Sequence, residues 1–168
     1  SRGPLSLARN ELAATGNSNY GWFGGGYAPF ATRTTVDRIN FSNDLATASS
    51  RGSLSFDRRR FAATGNSNFG WFGGGQIPSF AVSSTIERID FSNDFITASP
   101  RGNLSLGRLY PSATANSNYG WFGGGNSGPI VSTVDRIDFS NDLATAIIRG
   151  PLSTVREDSS ATGNSNYG

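Results

Sequence analysis

The chain has 168 residues, with 22 glycines, three tryptophans, 14 basic and 12 acidic residues, and no cysteine, histidine or methionine. Every basic residue is arginine, and the formal net charge is +2. These absences exclude His- or Cys-ligated metal sites, disulfides, Ser-His-Asp and Cys-His catalysis and lysine chemistry. No apolar run reaches the ~18 residues of a membrane-spanning helix, and no basic stripe points to nucleic acid.

In chain order, residues 5–14 come first and are interpreted as a connector. Short runs of apolar and β-branched residues then alternate with clusters of Gly, Asn, Ser and Asp, which predicts strands joined by turns. The strands are expected at residues 12–15, 20–23, 34–41 and 45–48, with a tight turn at 42–44. The segment between the glycine triplet and Thr35 varies among the copies, which predicts a surface loop on one face.

These elements recur with a period of about 49 residues. The Asn-Ser-Asn segment that runs into the glycine triplet occupies residues 17–26, 66–75 and 116–125, and it begins again at Asn164. We therefore predict one repeat array over residues 1–168. Its repeats are expected at 2–50, 51–100 and 101–148, with a partial repeat at 149–168.

Four antiparallel strands in each repeat predict an all-β fold of β-propeller blades. A blade has two apolar faces that only its neighbours cover, so Tyr20, Trp22, Phe23 and their equivalents are expected to lie between blades. The glycines that follow the second strand would let backbones approach closely; they are Gly24, Gly25, Gly73, Gly74, Gly123 and Gly124. An open β-solenoid or fibril is the alternative fold.

The order of these motifs resembles the kelch repeat of β-propellers. The matching segments are residues 20–25, residues 35–39 and Arg51, and the resemblance covers nearly all of the chain in three copies. The predicted fourth strand departs from the kelch pattern, because 45–48, 95–98 and 143–146 contain no tryptophan. The repeats are also similar to predicted repeat proteins of aquatic phages and environmental metagenomes. Propellers usually carry about 4 to 8 blades, so three repeats are expected to form a partial ring or part of a longer array.

The densest polar segment, residues 37–44, recurs at 87–94 and 135–142. One hypothesis is a calcium loop, because Ca²⁺ prefers carboxylate and amide oxygens. The other is an exposed strand and turn with Arg–Asp pairs across strands, which the absence of the EF-hand spacing favours. We predict no metal and no cofactor, and we keep three carboxylates as candidate ligand-binding groups: Asp44, Asp94 and Asp142.

Tryptophan side chains offer a second candidate site. Stacking of sugars on Trp22, Trp71 and Trp121 would make a multivalent glycan binder. Their place inside an apolar strand favours a role in the core instead. The carboxylates recur in every copy, whereas a glycosidase needs one specific pair, so no enzyme is predicted. Asn40 and Asn103 are candidate glycosylation acceptors, and the Arg58–Arg60 cluster is expected to be a solvated loop.

The sequence thus predicts a non-enzymatic structural or adhesion module, extracellular or on a virion, that presents its variable loops for interaction. The alternative is a lectin-like propeller with one weak glycan site per repeat. The expected partners are further repeats of the same chain, or a second copy that completes a ring, and glycans or other proteins. Neither nucleic acid nor a membrane span is expected.

Overall fold

The computed structural model describes residues 2–164 and shows an all-β chain, as the sequence predicts. The described residues form three four-stranded antiparallel sheets and one two-stranded hairpin. Ser1 and residues 165–168, which hold most of the fourth Asn-Ser-Asn-Tyr-Gly copy, lie outside the described residues. Within the described part, no helix is long and apolar enough to cross a membrane.

Each sheet is built from about one repeat, although the last strands of the second and third sheets run past the predicted boundaries at residues 100 and 148. The strands of the first repeat are β1 (Ala13–Gly16), β2 (Tyr20–Gly24), β3 (Tyr27–Ala28), β4 (Ala31–Thr32), β5 (Val36–Asn40) and β6 (Ser49–Ser50). The second repeat forms β7 (Ala62–Gly65), β8 (Phe69–Gly73), β9 (Thr85–Asp90) and β10 (Ser99–Asn103). The third forms β11 (Ser112–Ala115), β12 (Tyr119–Gly123), β13 (Val134–Asp138) and β14 (Ile147–Arg149).

The strand order is the same in all three sheets. It is β1-β2-β5-β6 in the first, β7-β8-β9-β10 in the second and β11-β12-β13-β14 in the third, while β3 and β4 form a hairpin inside the variable loop. The first strands, β1, β7 and β11, contact one another along the chain of sheets. The three sheets therefore meet at their first strands.

Strand register gives each sheet two chemically different faces. Trp22 lies opposite Arg38, and Phe23 lies opposite Asp37. Since successive side chains point to opposite faces, one face carries tryptophan and arginine and the other carries phenylalanine and a carboxylate. We call these the Trp face and the Phe face. The same register recurs in the other sheets.

The Trp face of one sheet packs on the Phe face of the next. Trp22 and Phe72 belong to the first apolar cluster, and Trp71 and Phe122 belong to the second. These four side chains are fully buried, as the sequence predicts for the space between sheets. A Cβ added at Gly24 would lie 2.9 Å from Cε1 of Phe72. Glycine is needed there because the next sheet's ring occupies the position of a side chain.

The first three strands match the prediction to within two residues, but the fourth does not. Residues 45 and 46 form a turn and a bend, residues 47 and 48 belong to no strand, and Leu45 is 68% exposed. The predicted tight turn is a 3-10 turn, Phe41–Asn43, in which Asn40 Oδ1 accepts the Ser42 N–H at 3.0 Å. Because this turn and the residues after it do not pair with β5, the fourth strand begins only at Ser49.

Candidate functional site

The variable loops of the first two repeats form a cleft of about 290 Å³. Phe30 and Phe80 stand at its rim and are 96% and 74% exposed. Its other lining residues include Tyr27, Arg59, Gln76 and Pro78. Exposed aromatic rings grouped around a concave surface are typical of an interaction site.

Both rim phenylalanines have a left-handed backbone conformation. The φ angle is 71° at Phe30 and 63° at Phe80. A bulky residue with positive φ is uncommon and costs on the order of 1–3 kcal/mol. The same conformation at the same place in two loops of different sequence keeps both rings outside the core.

The floor of the cleft is held by polar contacts of Arg59. Its Nε donates to Gln76 Oε1 at 3.0 Å, and its Nη1 lies 3.3 Å from the Glu11 carboxylate. Its guanidinium carbon stands 4.8 Å from the centre of the Tyr27 ring. Backbone bonds in both directions join Arg59 to Gln76. These contacts fix the position of Arg59 where it lines the cleft.

The third variable loop has different chemistry. It is shorter, its Asn126 Oδ1 accepts the Gly128 N–H at 3.0 Å, and its tip carries Ile130 rather than an aromatic ring. Gly128 has a φ of 114°, a conformation that glycine adopts without strain. The aromatic cleft therefore belongs to the first two repeats.

The structure places two of the three candidate tryptophans inside the junctions between sheets. Trp22 Nε1 donates to Asp94 at 2.9 Å, and its ring stacks on Phe91 with 3.9 Å between centroids. The next junction repeats the arrangement with Trp71, Asp142 and Phe139. Trp22 and Trp71 are fully buried, as the core interpretation predicts. Trp121 is half-buried.

The candidate carboxylates are paired with arginine. Asp94 lies 3.0 Å from Arg38 and 3.3 Å from Arg51, and Asp142 makes the same two contacts with Arg88 and Arg101. The described residues contain no group of three or more side chains suited to a metal ion. The Arg–Asp pairs join neighbouring sheets, instead of crossing one hairpin as expected. Asp44 has a single arginine, Arg2, at 3.3 Å.

A second polar network, which the sequence analysis missed, lies on the Phe face. Ser6 and Arg9 bind Asp37, and the Arg9–Asp37 distance is 2.8 Å. Equivalent groups surround Glu87 (Ser55 and Arg58) and Asp135 (Ser105 and Arg108). The pattern Leu-Ser-x-x-Arg, which begins at residues 5, 54, 104 and 152, is the sequence signal that predicts it.

The prediction of a solvated loop at Arg58–Arg60 is wrong for Arg58. Its side chain is fully buried beside Glu87, and its Nη1 donates to the carbonyls of Gly74 and Thr85 at 3.1 and 3.0 Å. Burial lowers the pKa of the Arg58 guanidinium to about 10, and the charge of Glu87 partly opposes this shift. A cation can be buried here because the carboxylate and carbonyls replace water.

The two predicted glycosylation acceptors lie at exposed positions of the first two sheets. Asn40 caps the 3-10 turn, and Asn103 ends β10. Both remain predictions, since a sugar chain is a property of the producing cell rather than of the fold.

No protein-family model matches the chain, and no curated protein matches it. Among solved structures, the chain is similar in fold to YjhT, with a TM-score of 0.72 at 11% sequence identity. The alignment covers 89% of this chain and 54% of the YjhT chain, so the chain spans about half the length of that protein. At this identity the likeness concerns the fold alone.

Proposed function

We propose that the chain is a non-enzymatic structural or adhesion module, extracellular or on a virion, that binds its partners through the cleft between its first two variable loops. The observation that carries this proposal is the pair of exposed rings, Phe30 and Phe80, held outward by two equivalent left-handed residues. A solvated loop with no partner gains nothing from such strained apolar tips.

The scaffold that presents these loops is, in this proposal, a set of kelch-like propeller blades. Three observations support it: each sheet has four strands in the same order, the first strands β1, β7 and β11 adjoin, and each Trp face packs on the next Phe face. Blades that radiate from a common axis share these features.

The absence of catalysis is proposed from the bonding of the carboxylates. A hydrolase needs a carboxyl group free to exchange a proton or attack substrate. Asp37, Glu87 and Asp135 are fully buried and bonded to serine and arginine, while Asp94 and Asp142 are bonded to tryptophan and arginine. These carboxylates therefore stabilise the junctions between sheets in every repeat, and none of them is free for catalysis.

A glycan is the second candidate partner, because the cleft joins aromatic faces to fixed polar groups. Tyr27, Phe30 and Phe80 supply rings, and the Arg59 guanidinium supplies hydrogen-bond donors. Sugar rings have apolar faces and hydroxyl edges that suit such a mixture. This version predicts one glycan site between two repeats, rather than one site in each repeat.

Binding of the fluorescently labelled chain to a panel of intact cells and to a glycan array tests the proposal. The double variant Phe30→Ser/Phe80→Ser should reduce cell binding at least tenfold. Leu143→Ser is the control, because it removes a similarly exposed apolar side chain outside the cleft, and it should leave cell binding unchanged. Binding to the glycan array that is inhibited by a free sugar would identify a glycan as the partner. The proposal fails if the wild-type chain binds neither, or if the double variant binds as the wild type does.

A further inference from the structure

We propose that the cleft between the first two variable loops binds an arginine side chain on the surface of a partner protein. The Asp57 carboxylate pairs with the guanidinium of that arginine, and the rings of Phe30 and Phe80 stack on its flat faces. This assignment rests on the proposed function, because it names the chemistry of the partner for the same cleft. It selects a protein rather than a glycan as the partner.

Asp57 is an acidic residue of the cleft that lacks a partner. Its side chain is half-buried and lines the cleft. Among residues 2–164, no group forms a hydrogen bond or an ion pair with the Asp57 carboxylate. A carboxylate that is partly removed from water is stabilised by a cation in contact with it. The cleft therefore offers an unused negative charge to a ligand.

Comparison of the repeats shows that the fold does not require this carboxylate. Asp57 is the second variable residue of the Leu-Ser-x-x-Arg pattern, and the same position holds Ala8, Gly107 and Val155 in the other copies. The serine and arginine of the pattern make the buried network on the Phe faces, whereas Asp57 takes no part in it. The carboxylate is therefore available for a role that belongs to this cleft alone.

The rings of Phe30 and Phe80 are also without partners. Within the described part of the chain, neither ring stacks on another ring, and no guanidinium lies over either of them. The left-handed backbone at both residues holds the rings outside the core. The face of an aromatic ring carries a partial negative charge that attracts cations. Two such rings and a carboxylate around one cleft suit a positively charged planar group.

The chain itself shows how such groups bind a guanidinium. Six of its arginines each combine a ring, 4.2–5.2 Å from the guanidinium carbon, with a carboxylate at 3.0–3.5 Å. They are Arg38, Arg51, Arg58, Arg59, Arg60 and Arg88. Arg88, for example, lies over the Phe69 ring and 3.0 Å from Asp142. Asp57 and the two rim rings supply the carboxylate and the rings of this arrangement without the arginine.

Arg59 lines the same cleft, but it already has partners of its own. It lies 3.3 Å from the Glu11 carboxylate and 4.8 Å from the centre of the Tyr27 ring, and it donates to Gln76. Arg60 shares Glu11 at 3.0 Å and is not among the residues that line the cleft. The cleft therefore contains one complete set of arginine, ring and carboxylate, and a second set from which the arginine is missing.

Arginine fits this second set better than lysine or a sugar does. Its guanidinium is planar, stacks on aromatic faces and forms paired hydrogen bonds with a carboxylate, whereas an ammonium is more strongly hydrated. A neutral sugar would leave the Asp57 charge without a counter-ion. The cleft volume of about 290 Å³ is at the lower end of the range for small-molecule sites and suits one side chain. The occupant is therefore one exposed arginine of a partner protein.

Titration of the chain with two short peptides tests the arginine site directly. One is the amide of acetylated glycine-arginine-glycine, and the other replaces arginine by citrulline, which keeps the planar shape but carries no charge. We expect the arginine peptide to bind about tenfold more tightly, with the largest NMR shifts at the backbone amides of Asp57, Arg59 and Phe80. Equal affinities for the two peptides, or tighter binding of the equivalent lysine peptide, would overturn the proposal.

Variants of Asp57 test the role of its carboxylate. Asp57→Ala should weaken binding of the arginine peptide about tenfold, and it introduces the residue that the first repeat has as Ala8. Asp57→Asn keeps the side-chain shape and should show the same loss. Asp44→Ala is the matched control, because it removes a half-exposed carboxylate outside the cleft, and it should leave binding unchanged. Wild-type affinity of a folded Asp57→Asn chain for the arginine peptide contradicts the proposed site.

Cell binding by the same variants separates the arginine site from the adhesion role on which it rests. We expect Asp57→Asn to reduce cell binding about tenfold, and an excess of the arginine peptide to inhibit it. If Phe30→Ser/Phe80→Ser abolishes cell binding while Asp57→Asn leaves it unchanged, the arginine site is overturned and the adhesion role is retained. Binding to a neutral glycan that persists in the Asp57→Asn chain overturns the arginine site as well. If the arginine peptide binds in an Asp57-dependent way but the chain binds no cells, the adhesion role is overturned and the arginine site is retained.

Discussion

The indole nitrogen of Trp22 donates to a carboxylate oxygen of Asp94, 2.9 Å away and 72 residues later in the chain. The same oxygen accepts from Arg38 Nη1 at 3.0 Å and lies 3.3 Å from Arg51 Nε, so groups of the first sheet and of the connector that follows it converge on one carboxylate oxygen of the second repeat. The junction between sheets is thereby specified by polar geometry as well as by apolar area.

Asp94→Ala should destabilise the chain by about 3–5 kcal/mol, because it leaves a buried indole N–H and two arginines without their acceptor. Urea unfolding followed by circular dichroism measures the change. Asp44→Ala is the matched control, since Asp44 is half-exposed and binds one arginine, and it should cost less than about 1 kcal/mol. Equal losses in the two variants would argue against the junction as the source of stability.

Gly24→Ala should cost about 1–3 kcal/mol, because its Cβ would lie 2.9 Å from a ring carbon of Phe72. Gly123→Ala is its equivalent in the third sheet, where the nearest atom is 3.5 Å away, and it should leave the stability of the chain nearly unchanged. Thermal unfolding of both variants measures the difference. A larger loss for Gly123→Ala would contradict the described packing.

Glu87→Gln should destabilise the chain by about 3–5 kcal/mol, since it leaves the Arg58 cation buried without a carboxylate. Glu87→Asp should be better tolerated, because aspartate fills this position as Asp37 and Asp135 in the other repeats. The two midpoints of urea unfolding measure the contrast. Similar urea midpoints for both variants would show that the loss of stability comes from side-chain shape rather than from the loss of the negative charge.

Acid should weaken the turn that follows the third sheet's β13. Hydrogen bonds from the Ser140 hydroxyl and backbone N–H lower the pKa of the Asp138 carboxyl below 3.8 in the folded chain. Because the folded pKa is below the unfolded one, this group stabilises the fold above pH 3.8, and the contribution is lost as pH falls through the folded pKa.

Asp138→Asn tests this effect, and Asn40 is the natural example of that side chain at the equivalent position. The variant should remain folded at pH 7 and should lose less stability than the wild type between pH 4 and pH 2. Thermal midpoints over that range give the measurement. A wild-type and variant pair with parallel pH profiles would rule out a contribution from Asp138.

Sequence periodicity was sufficient to predict the all-β sheets, the first three strands and the burial of Trp22 and Trp71, because alternation and repetition report directly on which faces are covered. The fourth strand was misplaced because Leu45 belongs to an apolar run but follows a 3-10 turn that points it to solvent. The local sequence pattern cannot distinguish an apolar run that forms a strand from one that follows a turn and is exposed, because the deciding contact here is a hydrogen bond from a side-chain cap.

The buried network around Arg58 was missed for a different reason. Its partner Glu87 is far away in sequence, and a run of three arginines is usually solvated. Comparison of the repeats reveals that only the first arginine of the run, Arg58, keeps the Leu-Ser-x-x-Arg position. The loop cleft was predicted only as a variable surface, because the left-handed φ of Phe30 and Phe80 has no signature in their residue type.

The likeness of the two junctions creates a problem of partner choice during folding. The Phe faces of the second and third sheets carry equivalent phenylalanines and aspartates. Loop closure discriminates weakly between them, because doubling the separation along the chain costs only about 0.6 kcal/mol in entropy. Connector 51–61 resolves the choice, because its Leu54 N–H donates to the Thr34 carbonyl just before β5 of the first sheet, while the Ser55 N–H donates to Glu87 of the second. A short covalent link thus selects the correct neighbour among near-identical surfaces.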